Sequence, residues 1–203
     1  MRRPCDDPMN WDWVRRNVDV IAGATVDHVV LTVIAVGVGF VLSLAFALLI
    51  HRDRRFYGPI SGATGVLYTI PSLALFALLV PITGLSLLTA EIGLVSYTLL
   101  ILTRHIVAGL DAVPRDIVEA ADGMGLSSGQ RLLSVDLPLA IPLIVAGLRI
   151  ATVTTISLAT IAAFVLPEGL GQPILDGLRT FFTTKFIAAG ALAVALAIVV
   201  DGV

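Results

Sequence analysis

Residues 119–138 read Glu119-Ala120-Ala121-Asp122-Gly123-Met124-Gly125-Leu126-Ser127-Ser128-Gly129-Gln130-Arg131-Leu132-Leu133-Ser134-Val135-Asp136-Leu137-Pro138, a polar, glycine-punctuated stretch set between apolar runs. Asp111 is the expected N-cap of a helix with Pro114 in its first turn, where a missing N–H costs nothing. That helix places Ile117, Ala120, Ala121 and Met124 on one face, at spacings of three and four. Gly123 and Gly125 end it, because glycine accepts the left-handed backbone that commonly follows a helix. Ser127 restarts a helix, and Gln130 three residues on completes a capping-box pattern. Leu132, Leu133 and Val135 give the second piece an apolar side before Pro138 turns the chain back into the bilayer. The product is a helix–glycine turn–helix knuckle over about 111–137. A membrane protein that only keeps its place has no need of such a knuckle, whereas one displaced by something outside the bilayer does.

Everything around the knuckle is built for lipid. The chain has 203 residues, 57% apolar and 14% charged, with mean hydropathy +0.98. These values indicate an all-α, polytopic membrane protein and exclude a disordered coil. The net charge of −2 carries no basic patch with aromatic or motif support, so nucleic acid is not an expected partner and membrane lipid is. Cys5 is the single cysteine and permits neither an internal disulfide nor a thiolate cluster. Arg2 and Arg3 resemble a basic n-region, but Asp6, Asp7, Trp11 and Asp12 come next, so no cleavable signal peptide is expected.

Residues 1–26 read as an N-terminal interfacial segment and 27–203 as the membrane domain. Within the first, Trp11, Val14, Val18 and Ile21 recur at helical spacing. They suit either an amphipathic helix lying in the headgroup layer or a short helix packed on its own protein. About five spans make up the second. Val29–Ile50 is uncharged and would rise about 33 Å as helix, enough to cross a hydrocarbon core of roughly 30 Å. It closes on His51-Arg52-Asp53-Arg54-Arg55. The second span covers about 58–79, with a small-residue notch at Gly58/Gly62 and a kink expected at Pro71. Pro81–Gly84 reads as a turn, and the third span covers about 90–103, reaching water at Arg104 and His105. The run 137–166 is longer than one crossing needs, and Pro138 and Pro142 place a bend at its start. A long turn over 167–173 precedes the last span, about 186–200, whose lack of a polar tail suggests a chain cut short.

Five alternating spans put the loops after the first and third spans on one side and the N-terminus on the other. The basic residues divide evenly between the two sides. Close to the first span the balance differs, because Arg52, Arg54 and Arg55 come directly after it and no arginine lies just before Val29. That places the knuckle in the cytoplasm and the N-terminus outside.

Pro71, Tyr97 and Arg149 are the candidates for lining a translocation path. Arg149 interrupts the fourth apolar run, where it either faces a cavity or subunit contact or snorkels along a tilted helix. Glu91 either attracts a cation or caps the third span. Tyr68, Phe76 and Tyr97 either offer cation–π faces or pack the core. No phosphate loop of the G-x-x-x-x-G-K type occurs. His28, His51 and His105 lack metal-ligand spacing, and no Ser-His-Asp arrangement is implied. Neither an enzyme, a cofactor nor a metal is expected. The knuckle, with Glu119 free to pair with a basic group, fits either docking to a partner or packing on its own bundle.

Glu119-Ala120-Ala121, three residues, Gly125, nine residues and Val135-Asp136-Leu137-Pro138 resembles the EAA loop of permease subunits of bacterial ABC importers, departing only by Val135 for isoleucine. Ile70-Pro71-Ser72-Leu73-Ala74, Ala146-Gly147-Leu148-Arg149 and Gly169-Leu170-Gly171-Gln172-Pro173-Ile174 resemble the osmoprotectant branch, which carries glycine betaine, carnitine or choline. Leu166-Pro167-Glu168 departs from the glycine-rich outer loop of that branch. The resemblance implies a multi-pass bacterial inner-membrane permease whose cytoplasmic loop is a coupling helix, with Glu119, Ala120, Ala121, Gly125, Leu137 and Pro138 engaging the ATPase. It also implies cytoplasmic ABC ATPase subunits, a second permease subunit (identical or related) and an external substrate-binding protein. An importer of another small solute, such as an amino acid or metal complex, is the alternative within the class. A secondary transporter or membrane scaffold is the alternative outside it. A topology reporter fused near Ser127 is expected to report cytoplasm, and one near Asp6 the outside. Both reporters on one side would show the span count to be wrong.

Overall fold

The computed structural model describes residues 9–202, so the readings of Arg2, Arg3, Cys5, Asp6 and Asp7 lie outside the described residues. All regular structure among them is helical. In chain order the helices are α1 (Trp11–Arg16), α2 (Val18–Arg52), α3 (Tyr57–Thr69), α4 (Ser72–Thr83), α5 (Leu87–Asp111), α6 (Arg115–Gly123), α7 (Ser128–Arg131), α8 (Leu137–Ile161), α9 (Gly171–Arg179) and α10 (Thr183–Gly202). A 3-10 turn at Arg54–Phe56 precedes α3, a π-turn at Leu132–Asp136 joins α7 to α8, and a 3-10 turn at Ala162–Phe164 comes after α8. Four helical segments are long and apolar enough to cross a membrane, and α3 with α4 makes a fifth if that broken pair is one crossing.

Several boundaries depart from the sequence expectation. The first spanning helix starts at Val18, not Val29, because nothing in its amphipathic lead-in interrupts the backbone ladder after Asn17. At Asn17 the side-chain amide instead donates to the Trp13 carbonyl at 2.8 Å and closes α1. Pro71 does more than kink the second span. It adopts an extended conformation (φ −56°, ψ 134°) and separates two helices. α4 runs through Pro81 and stops only at Gly84 (φ 73°), so the expected turn at 81–84 is the end of a helix. α5 continues past Arg104 and His105 to Asp111. Asp111 therefore ends one helix rather than capping the next. Pro114 takes the N-cap position of α6 without a side-chain bond, and Asp111 pairs with Arg54. The bend expected from Pro138 and Pro142 is a π-turn ahead of Pro138, and Pro142 sits inside α8. Part of the expected long turn is α9, which tolerates Pro173 because the first turn of a helix has no N–H bond to lose.

The chain divides into two compact units. One comprises Met1–Ala35, Ile70–Val95 and Thr152–Val203. Its core is Leu31, Ala35, Phe76, Ala90, Leu94, Ala159, Ala162, Val165 and Leu166. Leu170, Ala189 and Ala193 form a smaller cluster. Lipid tails are as apolar as these side chains, so packing contact rather than water exclusion holds such helices together, and small residues at the contact make it close. Gly171 meets backbone, since a Cβ there would lie 2.3 Å from the carbonyl oxygen of Thr160. His28 is fully buried in this unit, with Nε2 3.0 Å from the Ile156 carbonyl. Asn10 caps α1, its side-chain oxygen accepting from the Trp13 amide at 2.9 Å. The Asn10 backbone N–H donates to Thr184 Oγ1 at 2.8 Å, and Trp13 meets Phe182 edge-on, so α1 is tied to the start of α10.

The second unit comprises Val36–Thr69 and Ser96–Ala151. Its core is Ala47, Ile50, Ile106, Val107, Leu110, Ala140 and Ile144, flanked by Phe40, Leu44, Phe56, Ile60, Leu132, Leu137 and Leu148. Ser43 Oγ donates to the Leu99 carbonyl at 3.3 Å, joining α2 to α5 through a polar contact.

Gly171→Ala is expected to destabilise the detergent-solubilised protein by about 1–3 kcal/mol, because the atom it meets is backbone and cannot rotate away. Gly129→Ala, with nothing within 4 Å, should stay within about 0.5 kcal/mol of the parent. Thermal unfolding of the two variants side by side is the measurement, and equal midpoints would show that α8 and α9 separate easily.

Candidate functional site

The knuckle belongs to the second unit and is held by local hydrogen bonding. α6 ends on a double bond of the Schellman type. The Leu126 amide donates to the Ala121 carbonyl at 3.3 Å, and the Gly125 amide to the Asp122 carbonyl at 3.0 Å. That geometry requires Gly125 to take φ 79°, which a side chain resists. Ser127 then opens α7 with a full capping box: its backbone N–H donates to Gln130 Oε1 at 2.9 Å, and the Gln130 N–H donates to Ser127 Oγ at 3.4 Å. The turn at Gly125 and the capping box match the sequence reading, because each is set by residues three to five apart, whereas Gly123 is the last helical residue of α6 and takes no left-handed backbone.

The turn between α7 and α8 was not legible in the sequence. Residues Leu132–Asp136 form a π-turn, closed by the Leu137 amide donating to the Leu132 carbonyl. Pro138 supplies the reason. It has no N–H to donate, and its ring crowds the carbonyl four residues earlier, so the chain widens by one residue there. On an α-helix, residues five apart lie roughly 140° from each other. On the wider turn Arg131 and Asp136 face the same way, and Arg131 Nε reaches Asp136 Oδ2 at 3.4 Å. Arg131 Nη1 donates to both oxygens of Asp122 at 2.9 Å each. On its other side Asp136 Oδ2 lies 3.6 Å from His51 Nε2, at the end of α2. The Asp136 side chain is only 3% exposed, and its Oδ1 has no hydrogen-bond partner.

The candidate coupling residues are brought together but do not all face one way. Glu119 and Ala120 are exposed on α6, whereas Ala121 is buried against the chain itself. Leu137 packs beside the unit's core and Pro138 is exposed. The outward face of α6 is an apolar stripe of Ile117, Ala120 and Met124, with Met124 75% exposed. Among the path candidates, Tyr97 is buried against Tyr68, ring centroids 5.8 Å apart. Arg149 is exposed on α8, and Pro71 leads into α4 in the other unit. Glu91 lies one turn inside α5 and does not cap it. Ser86 does, accepting from the Thr89 amide at 3.3 Å. Both Glu91 carboxylate oxygens are buried without a hydrogen-bond partner.

Helical spans, a compact knuckle between them and the Glu-Ala-Ala…Gly…Leu-Pro spacing define a membrane transport subunit, and comparison with known proteins agrees. Residues 35–203 match the family described as binding-protein-dependent transport system inner membrane component, and the chain belongs to that family. It is similar to the osmoprotectant import permease protein OsmW of Salmonella typhimurium, 35% identical over 91% of this chain and 88% of that protein. It is 32% identical to the glycine betaine/carnitine/choline transport system permease protein OpuCB of Bacillus subtilis, over 87% of this chain and 82% of that one. It is 42% identical to part of the ergothioneine transport permease/ergothioneine binding protein EgtU of Helicobacter pylori, over 77% of this chain and 28% of that protein. The inward-facing MetNI methionine ABC transporter shares the fold, with TM-score 0.80 at 22% identity over 97% of this chain and 94% of that one. The chain is thus a multi-pass inner-membrane ABC importer permease subunit, forming the membrane pathway for a small solute.

Gly125→Val forces a β-branched residue into the left-handed region, at about 1–2 kcal/mol. Amide exchange across 115–127 is expected to speed up by roughly tenfold, with α9 and α10 unchanged. Unchanged exchange in the knuckle would mean that the glycine turn is not what holds it.

Proposed function

We propose that the chain forms the path of an importer for a small quaternary-ammonium osmoprotectant such as glycine betaine, carnitine or choline. It works with two cytoplasmic ABC ATPase subunits, a second permease subunit and an external binding protein that delivers the solute. The observation that carries the coupling part is the outward stripe of Ile117, Ala120 and Met124 on a helix closed by hydrogen bonds to the glycine turn and followed at once by the capping box. An apolar stripe beside exposed Glu119 suits a cleft with an apolar floor and a basic rim. Closure of the ATPases displaces the knuckle, and α5 and α8, attached at its two ends, carry the displacement into the membrane. Glu119, Ala120 and Gly125 act at the ATPase, while Ala121, Leu137 and Pro138 keep the knuckle seated. The knuckle lies in the cytoplasm and the N-terminus outside.

For the solute, the names of OsmW and OpuCB support an osmoprotectant. The buried, unbonded Glu91 carboxylate fits a site that attracts a cation. Pro71, Tyr97 and Arg149 are assigned to the path, Tyr97 with Tyr68 offering aromatic faces to an ammonium group. The similarity to EgtU favours a second reading, ergothioneine, in the same kind of path.

The test uses the four-subunit complex in proteoliposomes with its binding protein. Uptake of glycine betaine, carnitine or choline, and not ergothioneine or methionine, is expected. Ergothioneine uptake alone would replace the solute assignment. Glu119→Lys should cut the stimulation of ATP hydrolysis by loaded binding protein about tenfold or more, since reversing a charge at a docking rim costs more than about 1.4 kcal/mol. Delivery by the binding protein, on the opposite face, should not change. Full stimulation and normal ATPase pull-down in that variant would show that α6 is not the docking element.

A further inference from the structure

We propose that Arg131 is a positioning residue that clasps the knuckle to the foot of α2 through Asp136 and His51, so that displacement of α6 is delivered to the first spanning helix as well as to α5 and α8. The inference rests on the coupling role proposed for α6. It goes beyond that role by naming the route to a helix with no covalent link to the knuckle.

The geometry is a chain of four side chains from four elements. Asp122 on α6 holds Arg131 Nη1 with both oxygens at 2.9 Å. Arg131, at the end of α7, reaches Asp136 of the π-turn through Nε at 3.4 Å. Asp136 Oδ2 faces His51 Nε2 of α2 at 3.6 Å. The guanidinium is suited to this place because its planar fork offers separate N–H groups to two carboxylates, which a single ammonium does not do in fixed directions. Exposure falls from one end of this relay to its middle: Asp122 is half exposed, Arg131 is 21% exposed and Asp136 is 3% exposed. Coulomb attraction gains weight in that direction as water is excluded.

The two contacts to Asp136 are long for hydrogen bonds, and its Oδ1 is unbonded. A slight rotation of the carboxylate or the π-turn therefore shortens one contact or the other. This is the behaviour of a joint that transmits a push and still has travel left. Apolar packing supports the same route, because Leu132 and Leu137 flank the cluster that contains Ile50, the residue before His51. The knuckle and the α2 foot thus share the Asp136 carboxylate on one side of the π-turn and a core on the other.

The experiment uses the assembled transporter in proteoliposomes and follows hydrogen exchange on ATP addition together with ATP hydrolysis. In the parent, protection of 115–123 and of 47–52 is expected to change together. In Arg131→Met, 115–123 should still respond and 47–52 should not. Stimulation by loaded binding protein should fall about fivefold or more, the low end for coupling between sites, while ATPase association stays at the parent level. Arg131→Lys should restore part of the response, which a purely volumetric role would not. Asp136→Asn keeps the Asp122–Arg131 pair and removes the charge that Oδ2 presents to both Arg131 Nε and His51 Nε2, so it reads the route even if Arg131→Met fails to fold. A normal 47–52 response in Arg131→Met or in Asp136→Asn overturns the clasp and leaves the coupling role of α6 standing. No response of 115–123 to ATP in the parent overturns the coupling role, and the clasp with it.

Discussion

In hydrocarbon a backbone N–H or C=O has no partner but the chain itself, and that constraint orders everything else in this fold. Long ladders are the response in α2, α5 and α10, and in α8, where Pro138 and Pro142 each withhold one N–H. Side-chain hydroxyls meet the same constraint by bonding back to a carbonyl one turn earlier on their own helix. Thr64 Oγ1 donates to the Ile60 carbonyl at 2.8 Å and Thr83 Oγ1 to the Leu79 carbonyl at 3.0 Å, on the two helices that Pro71 separates. Thr32 Oγ1 donates to the His28 carbonyl at 2.8 Å in the same way within α2. Because water does not drive the helices together there, contacts built on Ala and Gly do the packing, as Gly171 against the Thr160 carbonyl shows.

The knuckle obeys a different rule. α7 has four residues and α6 nine, too short to persist alone, since helix nucleation fixes several dihedrals for one bond. Little of α6 is buried beyond Ala121. Its order comes from local closure: a glycine-supported double bond after α6, a capping box before α7, and the Arg131–Asp122 pair across the turn. Caps of this kind contribute about 0.5–2 kcal/mol each. A partly exposed ion pair contributes less, about 0.2–1 kcal/mol. Together they fix a shape without an apolar core, which leaves Ile117 and Met124 facing outward.

How much could be read from the sequence depends on the range of the interactions. Gly125 and the Ser127–Gln130 box were legible because their chemistry is complete within six residues of the chain. The uncharged run 29–50 was legible as a span, but its helix begins at Val18 because hydropathy reports the match to lipid and says nothing of where the hydrogen-bond ladder starts. Asp111 looked like a cap because it precedes Pro114. In fact α5 runs through Arg104, whose exposed charged end lets it sit on a helix face, and reaches Asp111 before breaking. α9 was hidden by Gly171 and Pro173, both tolerated in a first turn. Glu91 looked like a cap because the span's start was placed too late. The pairing of His51, Asp136 and Arg131 could not be found at all, since it needs both a tertiary contact and a π-turn that moves Asp136 to the face of Arg131.

Asp136 is best understood through its energetic disadvantage. A carboxylate 3% exposed, with one oxygen unbonded and the other held by two long contacts, is a poor stabiliser. Desolvation of such a group rivals or exceeds the Coulomb energy it recovers, and an apolar residue of similar size would often leave a fold as stable or more so. Stability is therefore not the reason for an acid at this point. A carboxylate between a guanidinium and an imidazole has one orientation that serves both. The neighbouring residue shows the division of labour: Leu137 packs beside the core and holds the chain down, while Asp136 fixes which way the turn faces. Pro138 makes the turn, Leu137 seats it and Asp136 aims it, so the Val-Asp-Leu-Pro stretch is a positioning device whose parts act only together.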